Sequence, residues 1–420
     1  MFTRSHGESI AGSDAMYLRK EILIMIYVGI DVASNKHDVC IMNENGEIYG
    51  KKFQIKNTKD EYKKLLNKIN DAKKLFKDSI VRIGIESTGV YSSTILNYFS
   101  KIENIEVIFI NPVLTSMFQL SESVHYAKTD SIDAEGICNY LIDKKNKLFT
   151  YTPISYQIQK IKSLYRELVK LNKLITQTSN RLTSLVHIIF PEFLKIFSKI
   201  KGKLILNLLR EYPTPEAYKG KRFNTLYEFA KKYSKGHISK ENIDKLLEYS
   251  KNSIGIYCSS DALIIKQMAQ LLLLLNNQKD EIIKELVKLT KEECPNLLTI
   301  PGIGALSAAG IIGEIGNISN FRNSDSLLSF AGLDPIVYES GKFKAKSTPI
   351  TKHGSSYLRN ALILASRAIV RNDKTFKDYF IKKLNEGKSY NCSIGHVSKK
   401  LVRVIFSLLK NNKTFKSVNN

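Results

Sequence analysis

Apolar residues recur at alternating spacings of three and four positions along residues 155–190, and no other feature of the chain restricts its fold as strongly. A helix with this spacing carries these side chains on one face, which must pack against another helix. A second series of the same kind follows. The two series predict a coiled coil or a long helical hairpin over residues 151–292, formed within one chain or between chains. The first comprises Ile161, Leu164, Leu168, Leu171, Ile175, Leu182, Leu185 and Ile189, with Thr178 in its gap; the second comprises Ile265, Met268, Leu272, Leu275, Ile282, Leu286 and Leu289, with Lys279 interrupting it.

The segment between the two series is a lysine- and tyrosine-rich insert at about 193–258. Within it Thr214, followed by Pro215 and Glu216, has the pattern of a helix start. The composition of the insert predicts no particular role.

The last part of the chain, residues 293–420, begins with Pro301-Gly302-Ile303-Gly304 between two apolar helical patterns. We interpret this stretch as a helix-hairpin-helix, in which Gly302 and Gly304 let backbone N–H groups approach a phosphate. An ordinary tight turn between packed helices is the alternative.

Basic residues follow this turn in two groups, on a flexible loop and on one side of the next helix. Contact with nucleic acid phosphates is the favoured interpretation, and a solvated face is the alternative. The residues are Lys342, Lys344 and Lys346 on the loop, and Arg359, Arg367 and Arg371 on the helix.

Composition supports a polyanionic partner. The 420 residues include 64 Lys and Arg against 40 Asp and Glu, which gives a formal charge of +24. Such a surplus favours nucleic acid, although the preference for lysine over arginine also fits an AT-rich genome. The five cysteines form no CxxC pair, so we expect a reducing cytoplasm and neither a zinc site nor disulfides. The apolar runs are too short to span a bilayer.

Residues 25–150 have the pattern of a mixed α/β domain, whereas residues 1–24 are interpreted as an irregular extension with Met25 as an alternative start. Predicted strands at 26–34 and 37–43 precede the hairpin signal Asn45-Gly46, and a further strand follows at 47–55. Strands at 80–86 and 107–110 then alternate with helices. The order of elements is RNase H-like.

Four acids of this domain are predicted to meet at one edge of the sheet: Asp31 in the first strand, Glu86 at the end of a later and adjacent strand, and Asp130 and Asp133 on one helix face. Carboxylates clustered in this way suit Mg²⁺, and two ions about 4 Å apart would clamp a phosphodiester. Taken singly, each acid is also typical of a strand end or a helix start. A sugar-kinase or actin-like ATPase is disfavoured because the segment 31–36, DVASNK, lacks the glycine of a phosphate turn.

Several motifs in sequence resemble the insertion-sequence 110 family of transposases. The resemblance extends from Met25 to about residue 380. It rests on the segments YVGIDVASNKHDVCI, IGIESTGVY, KTDSIDAEGI, YPTPEA, LLTIPGIGALSAAGIIGEIG, FAGLDP and ESGKFKAKSTPITKHGSSYLRNAL.

This resemblance implies a RuvC-like N-terminal domain whose DEDD metal site is Asp31, Glu86, Asp130 and Asp133. It also implies that Ser340, before Gly341, is a nucleophile that forms a phosphoserine intermediate; the residues alone would not distinguish it from other serines nearby. A bridge RNA that pairs with donor and target DNA, and a homo-oligomer of two to four chains, are further implications. Lys128 is expected to neutralise a neighbouring phosphate.

The chain departs from the family where Ser131 stands between the two aspartates and where His353 replaces an arginine. Two alternatives to an RNA-guided recombinase remain open. A Holliday-junction-type endonuclease would use the same acids with water as the nucleophile. A non-catalytic nucleic-acid-binding protein would need neither the acids nor Ser340. We expect action in the bacterial cytoplasm, at the nucleoid.

Overall fold

The computed structural model describes residues 25–75, 80–86, 91–122, 130–146, 148–234, 236–256, 259–336, 339–340, 343–344 and 349–417. The chain divides between Pro153 and Ile154 into two compact units. Within the described ranges, no helix has both the length and the apolar composition needed to cross a bilayer.

The first unit is built on a mixed five-stranded sheet in the order β3-β2-β1-β4-β5. Strand β1 pairs antiparallel with β2 and parallel with β4, so the hairpin part and the βαβ part of the sheet meet at β1. The predicted mixed sheet is confirmed. Its elements are β1 (Ile26–Val32), β2 (Lys36–Met42), β3 (Phe53–Lys56), α1 (Lys59–Leu75), β4 (Val81–Glu86), α2 (Ser92–Phe99), β5 (Ile105–Ile110), α3 (Pro112–Glu122) and α4 (Asp130–Asp143).

The β2–β3 connection is longer than the sequence predicts. The turn forms at Gly46, with φ of +82°, and the side chain of Asn43 accepts N–H groups from Asn45 and Glu47 at 3.0 Å. Beyond it a second positive φ, +70° at Gly50, breaks the expected strand, so that regular pairing resumes only in β3. Backbone in this left-handed region cannot continue a ladder.

The two faces of the sheet carry different helices. Along β1, the even-numbered residues from Ile26 to Val32 join a buried core with α1 and α2. The odd-numbered residues face the other way, where Tyr27 packs with Ile137 and Leu141 of α4. Because side chains alternate along a strand, Asp31 lies on the face covered by α4.

The second unit is helical and is organised by two long helices of 34 and 35 residues, α5 and α11, which pack against each other. They carry the apolar series found in the sequence. The helices are α5 (Tyr156–Ile189), α6 (Phe193–Ile196), α7 (Lys203–Glu211), α8 (Pro215–Tyr218), α9 (Phe223–Ser234), α10 (Lys240–Lys251), α11 (Ser259–Glu293), α12 (Pro295–Leu298), α13 (Ala305–Ile315), α14 (Ser324–Phe330), α15 (Ser356–Asn372), α16 (Lys374–Asn385) and α17 (Tyr390–Lys410).

Two hydrophobic clusters fill this unit. One cluster joins the C-terminal half of α5 and the N-terminal half of α11 to the helices of the insert. The other joins the N-terminal part of α5 and the C-terminal part of α11 to α13, α15 and α17. The predicted helical content after the sheet is therefore present. A coiled-coil supercoil and a helix-hairpin-helix remain predictions, and the described helix before Gly302 has only four residues.

Candidate active site

Asp31 and Glu86 lie side by side at one edge of the sheet. Strands β1 and β4 are parallel neighbours whose last paired residues are Ile30 and Ile85, and each acid is the next residue along its strand. Neighbouring strands are about 4.8 Å apart, so the two acids stand at the same level on the same face. Both are half-buried. This is the adjacency that the sequence predicts.

A pair of glycines brings helix α4 close to these acids. Gly29 and Gly84 are paired in register, two residues before Asp31 and Glu86 respectively. A Cβ on Gly29 would lie 2.0 Å from the carbonyl oxygen of Ala134 in α4. A Cβ on Gly84 would lie 2.6 Å from the side chain of Ile137 in the same helix. Only glycine permits this approach.

These glycines were missed by the sequence reasoning, although a signal was present. The same tripeptide pattern, glycine, isoleucine and an acid, occurs at residues 29–31 and again at 84–86. Residues two apart in a strand share a face, so on the face of each acid the preceding position is a glycine, which has no side chain.

Helix α4 presents its first turns toward the acids. Its Cys138 thiol contacts the carbonyl oxygen of Tyr27, and the preceding turn at Ala134 lies over Gly29. The helix thus runs antiparallel to β1, and its N-terminal turn lies toward Asp31. Half-buried Asp133 lies near this end. Asp130 begins the helix, but its side chain and all of Lys128 lie outside the described residues.

Helix α3 contacts two of the acids. The Thr115 hydroxyl donates a hydrogen bond to the carboxylate of Glu86. The amide nitrogen of Gln119, one helical turn later, lies 3.4 Å from Oδ1 of Asp133. Neither α3 residue was anticipated from the sequence, because a threonine and a glutamine in a helix carry no distinctive signal.

A further acid, Asp38 on β2, faces the same region and was also missed. It is the cross-strand partner of Asp31, so both point to the face covered by α4. Gln54 on β3 donates to both of its carboxylate oxygens, at 3.2 and 3.3 Å. Directly opposed like charges destabilise a sheet, and a cation between them would remove that cost.

The donor set and its placement fit a divalent cation such as Mg²⁺. Carboxylate oxygens are its preferred protein ligands, and Asp31, Glu86, Asp38 and α4 share one face. Among the side chains that the structure describes, however, no three acids, histidines or cysteines are close enough to hold an ion as they stand. Asp130, whose side chain is outside that set, is the remaining candidate ligand.

In the second unit, Ser340 lies in a short strand β6 (Glu339–Ser340) that pairs with β7 (Phe343–Lys344). The base of this hairpin is described in detail. The Ile336 amide donates to Pro349 O at 2.9 Å, and the Thr351 amide and hydroxyl both bond to Asp334, at 2.9 and 2.7 Å. The side chains of Ser340 and Lys344, and all of Lys342 and Lys346, fall outside the described residues.

The arginines predicted to contact nucleic acid have different surroundings. Arg359 donates to the carbonyl oxygens of Ala331 and Lys352, at 3.0 and 3.2 Å, and so joins the two sides of the hairpin base. Arg367 and Arg371 are exposed. A guanidinium used in this way stabilises the loop, whereas the exposed pair remains available to phosphates.

The two glycines of the predicted phosphate-binding turn also have different surroundings. Gly302 has φ of +83° and lies against helix α15, where a Cβ would meet the Ala368 backbone at 2.9 Å. Gly304 caps α13 and has nothing within 4 Å of the position of a Cβ. Gly302 is therefore needed for packing, and only the surroundings of Gly304 are open.

An ion pair between partly exposed Arg166 and buried Glu314, absent from the sequence predictions, fixes helix α15 near this hairpin. Arg166 of α5 donates to both carboxylate oxygens of Glu314 at 2.6 and 2.9 Å, and the Ser355 hydroxyl, which caps α15, donates at 2.7 Å. Burial raises the pKa of the Glu314 carboxyl, but these hydrogen bonds outweigh burial and hold that pKa below its ordinary value.

Two family models match the chain and together cover more than half of it. A model for the DEDD-type transposases of IS110 matches residues 28–191, and the model described as "Transposase IS116/IS110/IS902 family" matches residues 294–380. The first therefore contains all four predicted acids, and the second contains Ser340.

Individual relatives agree with the models. The chain is 31% identical over 140 residues to the transposase for insertion sequence element IS1111A of Coxiella burnetii, which is 33% of this chain and 38% of that protein. It is 22% identical over 405 residues to an uncharacterized IS116 protein of Streptomyces clavuligerus, covering 93% and 96%. The pilin gene-inverting protein of Moraxella bovis is 29% identical over 142 residues, covering 33% and 44%.

The chain thus spans less than two thirds of the length of two of these three relatives. Among solved structures, Thermus thermophilus RuvC bound to a Holliday junction matches 30% of this chain and 99% of that chain, at 10% identity and a TM-score of 0.23. A score this low does not establish a common fold.

Proposed function

The chain belongs to the IS110 family of transposases, and from this premise we propose that it is a metal-dependent DNA recombinase of an insertion sequence. The observation that carries the proposal is the side-by-side placement of Asp31 and Glu86 under a helix that bears Asp130 and Asp133. Acids arranged in this way hold cations that act on phosphodiesters.

In the proposed reaction the four acids would hold Mg²⁺, in our proposal two ions, which would supply charge stabilisation on the phosphate. Ser340 is the nucleophile: its Oγ forms a bond to phosphorus as the bond from phosphorus to one DNA oxygen breaks, and the hydroxyl proton passes, directly or through water, to that departing oxygen. The phosphoserine ester conserves the energy of the broken bond, so a second DNA hydroxyl reverses the step and rejoins the strands. No nucleotide cofactor is required.

Rejoining is favoured over simple cleavage by one relative. The Moraxella bovis protein is named for inverting a gene, and inversion requires both cutting and rejoining of DNA. We therefore prefer a recombinase to a junction endonuclease that uses water.

The proposed partners are donor and target DNA, a bridge RNA that selects both, and further copies of this chain, from two to four. The charge of +24 supports a polyanionic partner, which DNA and RNA both are. Arg367, Lys342, Lys344 and Lys346 are the proposed phosphate contacts, and Lys128 is proposed to neutralise a further phosphate. The place of action is the cytoplasm, at the nucleoid.

Covalent capture tests this function. Purified protein, RNA from the flanks of its gene, Mg²⁺ and labelled junction DNA are combined and separated on a denaturing gel. We expect a labelled protein–DNA adduct that is lost in Ser340→Ala and in Asp31→Asn. Cleavage without an adduct that survives Ser340→Ala but not Asp31→Asn would establish a water-using nuclease. Binding without cleavage in the wild type would leave only a nucleic-acid-binding protein.

A further inference from the structure

We propose that one face of helix α3 orients two of the four acids toward a divalent cation. Thr115 positions the carboxylate of Glu86. Gln119 does the same for Asp133. The inference rests on the metal-dependent function proposed above, and it assigns to α3 a role in building the site.

The bond from Thr115 is the stronger of the two. Its side chain is 1% exposed, and the hydroxyl faces both the Glu86 carboxylate and, at 3.0 Å, the carbonyl oxygen of Pro112. A hydroxyl has a single proton, and a carboxylate is the stronger acceptor because the bond is charge-assisted. The hydrogen bond therefore holds one carboxylate oxygen of Glu86 in place, and this fixes the direction in which the second oxygen points.

The orientation of α3 supports a role other than core packing. Three of its apolar side chains, Leu114, Met117 and Leu120, are 47%, 64% and 63% exposed, whereas polar Thr115 is buried. Phe118 is half-buried and packs edge-on against Tyr140 of α4. Positions four apart share a helix face, so Gln119 follows Thr115 on the inward side. Hydrophobic contact with α4 is therefore shared, on this face of α3, with two polar side chains that contact acids.

Helix α4 is shaped to receive Gln119. A Cβ on Gly136 would lie 2.0 Å from the amide nitrogen of Gln119, so a larger residue there would displace the flexible end of that side chain. Gly136 is three residues after Asp133, which places it on the same side of α4 as the carboxylate that Gln119 contacts. Glycine within a helix is unfavourable, and this contact accounts for it.

Hydrogen bonds of this kind tune metal sites. A carboxylate with one oxygen fixed by a donor presents the other oxygen in a defined direction, and loss of such an outer contact typically weakens metal binding about 10- to 100-fold. The same donors also reduce repulsion between the acids before a cation arrives.

The test measures Mn²⁺ affinity of the full-length protein without nucleic acid, from the electron paramagnetic resonance signal of free Mn²⁺. Thr115→Val, Gln119→Met and Gly136→Ala are each expected to weaken binding about 10- to 100-fold. Thr115→Ser, which keeps the hydroxyl, should bind Mn²⁺ as tightly as the wild type does. Ser116→Ala, on the exposed side of α3, and Gly395→Ala, where a Cβ meets nothing within 4 Å, are matched controls and should bind as the wild type does.

Asp31→Asn separates the two proposals. If the wild type does not bind Mn²⁺, or if Asp31→Asn binds it equally well, the metal-dependent function fails. If Asp31→Asn loses binding while all three α3 and α4 variants keep wild-type affinity, only the role of α3 is overturned.

A double variant excludes general distortion. Gly136→Ala acts by displacing Gln119, so combining it with Gln119→Met should weaken Mn²⁺ binding no more than Gln119→Met alone. Additive losses would overturn the inference. Circular dichroism without metal checks folding, and if Thr115→Val does not fold, the Gly136 and Gln119 pair decides the question.

Discussion

At the scale of single residues, the acid-bearing edge of the sheet is shaped by charge repulsion as well as by ligand chemistry. Asp31 and Asp38 oppose each other across antiparallel strands, and Glu86 flanks Asp31 on the other side. Each neighbour of like charge destabilises the metal-free sheet. The site therefore trades some stability of the empty protein for affinity toward a cation.

Asp38→Asn tests this balance. The asparagine keeps an oxygen that accepts from Gln54, so only the charge opposite Asp31 is lost. We expect the metal-free protein to gain about 0.2–1 kcal/mol in free energy of unfolding. The added stability conferred by Mg²⁺ should become smaller.

Urea titrations in EDTA and in Mg²⁺ measure both quantities for Asp38→Asn. Glu103→Gln removes an exposed acid elsewhere in the first unit and serves as the control. An Asp38→Asn protein less stable than the wild type in EDTA would contradict the repulsion argument.

At the scale of elements, the hairpin that carries Ser340 is fixed where it joins helix α15. Arg359 bonds both sides of the hairpin base, and Ser355 both caps α15 and donates to buried Glu314. Glu314 on α13 is in turn bound to Arg166 on α5. Three helices thus hold the base of the hairpin through connected polar contacts, and loss of one contact leaves buried groups of the others unsatisfied.

Glu314→Gln is expected to lower the free energy of unfolding at pH 7 by about 1–3 kcal/mol, because the neutral amide keeps its shape but loses the charge-assisted bonds to Arg166. The pKa of Glu314 is lowered in the folded protein, so its contribution is present above its ordinary pKa of 4.5 and is lost as the pH falls through the lower folded value. The difference between wild type and Glu314→Gln should shrink below pH 4.5.

Urea unfolding at pH 7 and at several acidic values measures the effect of Glu314→Gln. Glu167→Gln, which removes an exposed ion pair with Lys170 one turn along α5, is the matched control and should change stability by less than about 0.5 kcal/mol. A Glu314→Gln effect no larger than this, or one that persists unchanged at acidic pH, would contradict the assignment.

At the scale of the whole molecule, the charge of +24 sets how binding depends on salt. If the protein contacts six to ten phosphates, affinity for a random duplex should fall by about 10³ to 10⁵ between 50 and 200 mM salt. Fluorescence anisotropy over a salt series measures this slope. Arg367→Gln, which removes one proposed phosphate contact, should reduce the slope by about one. A slope near zero would show that the Lys and Arg side chains make no contacts with the phosphates of the duplex.

Much of the architecture was predictable from local patterns. The alternation of strand residues, the acids at the ends of two strands and the three–four spacing of Leu and Ile each reflect a repeat of the backbone itself. For that reason the mixed sheet, the neighbouring placement of Asp31 and Glu86, and the long helices α5 and α11 followed from sequence alone. The third strand was placed too early because the positive φ of Gly50 is set by its loop.

What the sequence by itself determined is therefore the mixed sheet, the two long helices, the family and the acids near the ends of strands β1 and β4. The tertiary structure alone decided which side chains meet across elements. The contacts of Thr115 with Glu86, of Gly29 with α4, and of Arg166 with Glu314 join residues 29, 105 and 148 positions apart. No local period relates such positions, because their approach depends on how close two packed surfaces come.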